Sequence, residues 1–140
     1  MRIALDTNVL VSAVATRGLC ADVLNLVLAE HELVIGETVL AETARVLRDK
    51  MRVPKDVIQE FVELLRDESE VVQATEPQQI VIRDESDVAV ISEAVAGRAE
   101  VLVTGDRDLL EISAPLPIKV ITPRGLWDVL RVGGDETSGV

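Results

Sequence analysis

Four carboxylates stand where the chain changes character. Asp6 ends the apolar run Ile3-Ala4-Leu5 and is followed by Thr7 and Asn8. Asp106 closes Thr104-Gly105-Asp106, directly after the apolar run Val101-Leu102-Val103. Glu42 lies in a segment whose Val39, Leu40, Val46 and Leu47 define the buried side of a helix. At about 100° per residue it falls at the margin of that side, about 40° from Val46. Asp87 precedes Ile91 and Ala94 at helical spacing, so it points along the stripe formed by Val88, Ile91, Ala94 and Val95. Each acid alone has an ordinary reading. Asp6 and Asp106 suit helix caps or turns, and Glu42 suits a solvated rim. Asp87 suits the first turn of a helix capped by Ser86, although the helix dipole does not explain its inward direction. Together they are harder to dismiss. Crowded carboxylates raise one another's pKa and resist ionisation, and a divalent cation removes that conflict. An oxygen-only set suits Mg²⁺ or Mn²⁺. Zinc is disfavoured, because the soft candidates His31 and Cys20 lie away from these acids.

Whether the acids meet depends on the elements that carry them. Short apolar runs at residues 2–5, 33–35, 101–103 and 118–121, with a further strand at 70–74, read as strands covered on both faces. Helical spacing marks residues 8–15, 19–29, 38–50, 86–96 and a segment after Pro54 reaching about residue 66. Asn8 is the expected helix start, Gly97 the expected C-cap, and Thr122-Pro123 opens a last helix to about Leu130. Residues 75–85 read as a polar loop with a short strand at Ile80–Ile82. Alternating strands and helices imply a parallel sheet between helical layers. Ligands of such sheets bind beyond the carboxyl ends of the strands, and the first strand and the 101–103 strand both deliver an aspartate to that edge.

The 140 residues are enough for one domain with a real core, and 48% are hydrophobic. The reading is a single domain over 1–132 with a flexible tail over 133–140. No apolar run suits a membrane span, no secretory signal opens the chain, and one cysteine, Cys20, reads as core filler in a reducing cytoplasm. His31 reads as a surface residue. The net charge of −11 lacks the basic footprint of most nucleic-acid binders. With Phe61, Trp127 and no tyrosine, a base-stacking platform is also unexpected. An acidic surface does suit a basic protein partner.

The stretches "ALDTNVLVSA", "GETVLAETARVL", "DVAVISEAVAGRAEVLVTGDRDLL" and "ITPRGLWDVL" resemble the successive motifs of PIN domains. The resemblance is to the bacterial and archaeal PIN-family toxins of toxin–antitoxin systems, the VapC type, and it covers residues 2 to about 131. It implies an α/β fold, a three-layer α/β/α sandwich with a central parallel sheet, and a ribonuclease site that binds Mg²⁺ or Mn²⁺. The family's acids fall on Asp6, Glu42, Asp87 and Asp106. Asn8 matches the residue supporting the first acid, Thr104 the hydroxyl residue before the last, and Asp108 an outer member. "RDESD" lacks the proline often found there, so Asp87 is chosen over Asp84 by its helical face.

The expected activity is hydrolysis of RNA phosphodiester bonds, leaving a 5′ phosphate. A metal would bind the scissile phosphate and acidify a water, with Arg17, Arg107 and Arg124 as either phosphate contacts or plain surface charges. Expected partners are RNA, a cognate antitoxin with a basic segment and a second copy of the chain in a homodimer. Two alternatives stand beside this: a phosphatase forming an aspartyl-phosphate on Asp6, and a non-catalytic PIN-like interaction domain. Asn8 stands where such phosphatases carry a second aspartate.

Overall fold

The computed structural model describes residues 1–73, 85–112 and 116–138. Five parallel strands make one sheet: β1 (Arg2–Leu5), β2 (Glu32–Gly36), β3 (Ser69–Val72), β4 (Val101–Val103) and β5 (Lys119–Ile121), in the order β3-β2-β1-β4-β5. The register sets Ala4 beside Val34 on one side and Leu102 on the other. Ile3, Leu5, Val34, Ile35, Leu102 and Val103 are almost wholly buried, as strands covered on both faces require.

Seven helices surround the sheet among the described residues: α1 (Thr7–Ala15), α2 (Leu19–Glu30), α3 (Glu37–Asp49), α4 (Lys55–Glu68), α5 (Glu85–Ala96), α6 (Arg107–Leu110) and α7 (Pro123–Ser138). Helix α1 packs on α2 and α3, α3 on α4 and α5, and α2 on α7, while α5 lies on β2 and β3. The result is the expected three-layer α/β/α sandwich. After β1, β2 and β3 the chain returns to lay β4 on the free side of β1. The order of strands therefore reverses between β1 and β4, where open parallel sheets form their crevice. Among the described residues no single helix is long and apolar enough to cross a membrane.

Several local expectations change. Asp6, not Asn8, caps α1, because its carboxylate accepts the Thr7 N–H. Gly97 is not the left-handed residue after α5; Arg98 is, at φ 57°. Gly97 is instead needed for close approach, since a Cβ there would fall inside the Val34 side chain beneath it. Ser86 lies within α5, which begins at Glu85, and α7 continues past Leu130 to Ser138 through Gly133 and Gly134. Glycine is a poor helix former, so the sequence signal faded before the helix did. Cys20 packs half-buried against the core. His31 is not simply a surface residue: burial lowers its pKa, and its Nδ1 is buried with no hydrogen-bond partner. The expected strand at 80–82, the loop around it and Asp84 lie outside the described residues.

Candidate metal centre

Thr104 is the hinge pin of the site. It follows β4, is 0% exposed, and its hydroxyl donates to Asp6 Oδ2 (2.7 Å). The same oxygen accepts the Asp106 N–H (3.0 Å) and the Asn8 Nδ2–H (3.2 Å). A hydroxyl has one donor and two acceptor positions, so Thr104 is fully engaged and has none left for a ligand. Asn8 completes the loop: its Nδ2 also donates to Asp6 Oδ2 (3.1 Å), and its Oδ1 accepts the Gly105 N–H (2.9 Å). The end of β1 and the end of β4 are thereby tied together.

Asp6 is 5% exposed. Its Oδ2 accepts from Thr104 and Asn8, and its Oδ1 accepts the Thr7 N–H (2.7 Å). A carboxylate has about four lone-pair positions, so one position on Oδ1 remains for a cation. Burial raises the Asp6 pKa; the Thr104 hydroxyl and Thr7 N–H oppose that rise, and Glu42 and Asp106 reinforce it. Asp106 caps the one-turn helix α6 through the Asp108 N–H (2.9 Å). Asp6 and Asp106 thus both cap helices, and capping leaves carboxylate positions open on each.

Asp6, Glu42, Asp87 and Asp106 line a single cavity of about 460 Å³, with Thr7, Asn8, Val11, Ser12 and Val46 among its other walls. Carboxylate oxygens of Asp87, Asp106 and Asp108 lie within 4.8 Å of one another. Asp87 is buried at the start of α5, facing inward as its helical face required. Glu42 sits half-buried on α3, with the Thr7 hydroxyl 3.4 Å from one carboxylate oxygen and Arg45 3.8 Å from the other. Arg17, Arg107 and Arg124 do not line this cavity, whose described walls carry no Lys or Arg.

One buried acid escaped the sequence reading. Glu93 on α5 is 4% exposed, and both its oxygens accept the Thr38 N–H (3.1 Å each) in the first turn of α3. It fixes the helix bearing Asp87 to the helix bearing Glu42. Gly36 makes the room, because a Cβ there would lie 2.6 Å from Glu93 Oε1. The available signal was spacing alone: Glu93 is three residues from Val90 and four from Gly97, both of which face inward.

The donor set is all carboxylate, partly desolvated and self-repelling, which fits a hard divalent cation. A PIN domain family model matches residues 2–108. The chain belongs to the PIN domain family. No curated protein matches it. Solved structures similar to this PIN domain include VapBC2 from Rickettsia felis bound to a DNA fragment from its promoter. That match has 21% identity and a TM-score of 0.63, covering 87% of this chain and 98% of the other. PAE2754 from Pyrobaculum aerophilum is 18% identical with a TM-score of 0.65, covering 94% of this chain and 90% of its own. VapBC-1 from nontypeable Haemophilus influenzae is 16% identical with a TM-score of 0.60, covering 89% and 99%. At these identities the likeness is one of fold.

Proposed function

We propose that this PIN domain is a metal-dependent endoribonuclease and the toxin of a toxin–antitoxin pair. The observation that carries the reading is that four carboxylates line one cavity at the reversal point of the sheet, with no histidine or cysteine on its described walls, and that two of them, Asp87 and Asp106, lie close together with Asp108. Membership of the PIN family and the fold shared with two VapBC structures support it.

Asp6 Oδ1, Asp87 and Asp106 are the residues to hold a Mg²⁺ or Mn²⁺, with Asp108 beside them and Glu42 across the cavity. Such an ion supplies positive charge against the phosphate and makes water a stronger nucleophile at neutral pH. Glu42, half-buried and facing the cavity, orients the attacking water and accepts its proton. The water oxygen bonds to phosphorus, the bond to the 3′ oxygen breaks, and that oxygen takes up a proton. One fragment keeps the 5′ phosphate. Asn8 and Thr104 hold Asp6 and Asp106 in place without touching substrate. Among the described residues the walls carry no Lys or Arg, and Arg45 stands beside Glu42 (3.8 Å), so a bound cation would supply most of the charge facing the phosphate. An aspartyl-phosphate on Asp6 is less suited to this geometry, since Asn8 stands where a general acid is needed and is already bonded to Asp6. The net charge of −11 favours an antitoxin whose basic segment enters the acids, and a homodimer and a reducing cytoplasm belong to the same reading. The single domain ends near residue 132 in this proposal, with 133–140 as an appended tail.

The test is Asp106→Asn beside wild type, melted in EDTA and in millimolar Mn²⁺, with an RNA cleavage assay. Wild type gains RT ln(1 + [M]/Kd), about 2.7 kcal/mol at a hundredfold excess over Kd. The variant loses most of that gain, and cleavage with it. Asparagine caps a helix nearly as well as aspartate, so equal Mn²⁺ shifts in both proteins would mean that Asp106 is only a cap.

A further inference from the structure

The cavity that gathers the acids does not end at them. It continues between α1 and α3, lined by Val11, Ser12, Ala15, Thr16, Val46 and Met51. Asn8, Val11, Ser12 and Ala15 share one face of α1, while Glu42 and Val46 share one face of α3. Both walls change character over the same step. Beside the cluster they present Asn8 and Glu42. About one turn away, roughly 5–6 Å along each helix, they present Val11 and Val46. Met51, 46% exposed, adds a further apolar surface. The described walls of this arm contain no Lys or Arg.

We infer that this arm receives an unpaired nucleobase of the substrate, the base adjoining the phosphate held at the acids. The inference rests on the nuclease reading and specifies its substrate. A polynucleotide offers two kinds of group, anionic phosphates and planar bases of low polarity. A phosphate entering the arm meets no Lys or Arg among the described walls, whereas a base finds aliphatic side chains on two walls and, for its edge, the Ser12 hydroxyl, itself 3.4 Å from that of Thr16. Charge complementarity thus assigns phosphate to the cation site and base to the arm. The one-turn step matches a nucleotide's reach from phosphate to its own base. A base locked in a duplex has both faces stacked and cannot enter the arm. A basic segment of an inhibitory protein suits the acids, but its charge gains nothing in the arm.

The test uses the full chain in Mn²⁺ and an RNA oligonucleotide spanning one mapped cleavage position. Two further oligonucleotides carry a single abasic residue, one on each side of the scissile phosphate. For wild type, one of the two abasic oligonucleotides raises KM about tenfold, the order of burying one small apolar group, while kcat changes little. Val46→Asn raises KM for the intact oligonucleotide by a similar factor, and the abasic change then adds little more, as two losses of one contact must. Met51→Ala, at an exposed position tolerant of change, shows the same pattern more weakly and serves if Val46→Asn does not fold. Equal KM for the intact and both abasic oligonucleotides would overturn the base subsite while leaving the nuclease reading in place. Fully additive losses would put the base elsewhere. Unchanged KM with weakened binding of an inhibitory protein would give the arm to that protein instead. No cleavage of any of the three would remove the nuclease reading and the subsite with it.

Discussion

Thr104 shows how little chemistry separates a structural hydroxyl from a functional one. It touches Asp6, Asn8 and the Asp106 backbone at once. Thr104→Val keeps the shape and deletes the hydroxyl. It leaves the Asp106 N–H and the Asn8 amide without this acceptor, and we expect a loss of about 1–3 kcal/mol in urea melts. Thr104→Ser restores most of it. The valine variant also removes a hydrogen bond that lowers the Asp6 pKa, so its Mn²⁺ affinity weakens at mildly acid pH; unchanged affinity there would show that Thr104 acts on stability alone. Asp6 itself carries a pH signature. Its folded pKa is raised, chiefly by burial, so its contribution to stability is fully present below the ordinary aspartate range and is lost as pH rises through the raised value. In EDTA, the stability difference between wild type and Asp6→Asn therefore shifts in favour of wild type as pH falls through that window. A difference that is flat with pH would remove the desolvation argument. Strand ends gave Asp6 and Asp106 their direction and a helical face gave Asp87 its own, whereas Glu42 stood only at the margin of its stripe, and Asn8 and Thr104 came with the resemblance to PIN domains. The sharing of Thr104 among three partners was not legible in the sequence, because it depends on how β1 and β4 lie together.

The elements were legible in proportion to their length and apolarity. Val101–Val103 is only three residues, yet it stands out because every side chain is buried and aliphatic. Helix α6 was missed, since four residues are too few for a periodic pattern to declare itself. The two informative glycines were legible as punctuation but not as contacts. Gly97, the expected cap, proves to be where α5 rests on Val34, and Gly36 proves to be the space for Glu93. Both depend on partners far away in sequence. The Gly36–Glu93 pair gives a cycle to measure. Gly36→Ala forces its Cβ against Glu93 and should cost about 1–3 kcal/mol, the usual range for overpacking. Glu93→Ala leaves the Thr38 N–H without its acceptor and should cost a similar amount. The double variant relieves the collision and costs clearly less than the two together. Strict additivity in denaturant melts would mean that the two residues do not meet.

At the scale of the whole molecule, charge and topology pull the protein's behaviour in distinct directions. With a net charge of −11 and no cationic side chain lining the acid cavity among described residues, an RNA bound here releases few counterions. The plot of log KM against log monovalent salt should be shallow, far from the steep slope of a protein that neutralises many phosphates; a steep slope would reveal a basic footprint elsewhere on the surface. Topology bears on when the protein exists at all. Strand β1 is the middle of the sheet and needs β4 for its second edge, and the Thr104–Asp6 bond joins residues 98 positions apart. During translation, the first carboxylate leaves the ribosome long before the last. At roughly 5–20 residues per second the wait is on the order of 5–20 s. A nascent chain halted anywhere in that interval has Asp6 without the strand that orients it and without Asp106. If the proposed nuclease site is right, truncated translation products that end before β4 lack the complete acid cluster and should be inactive.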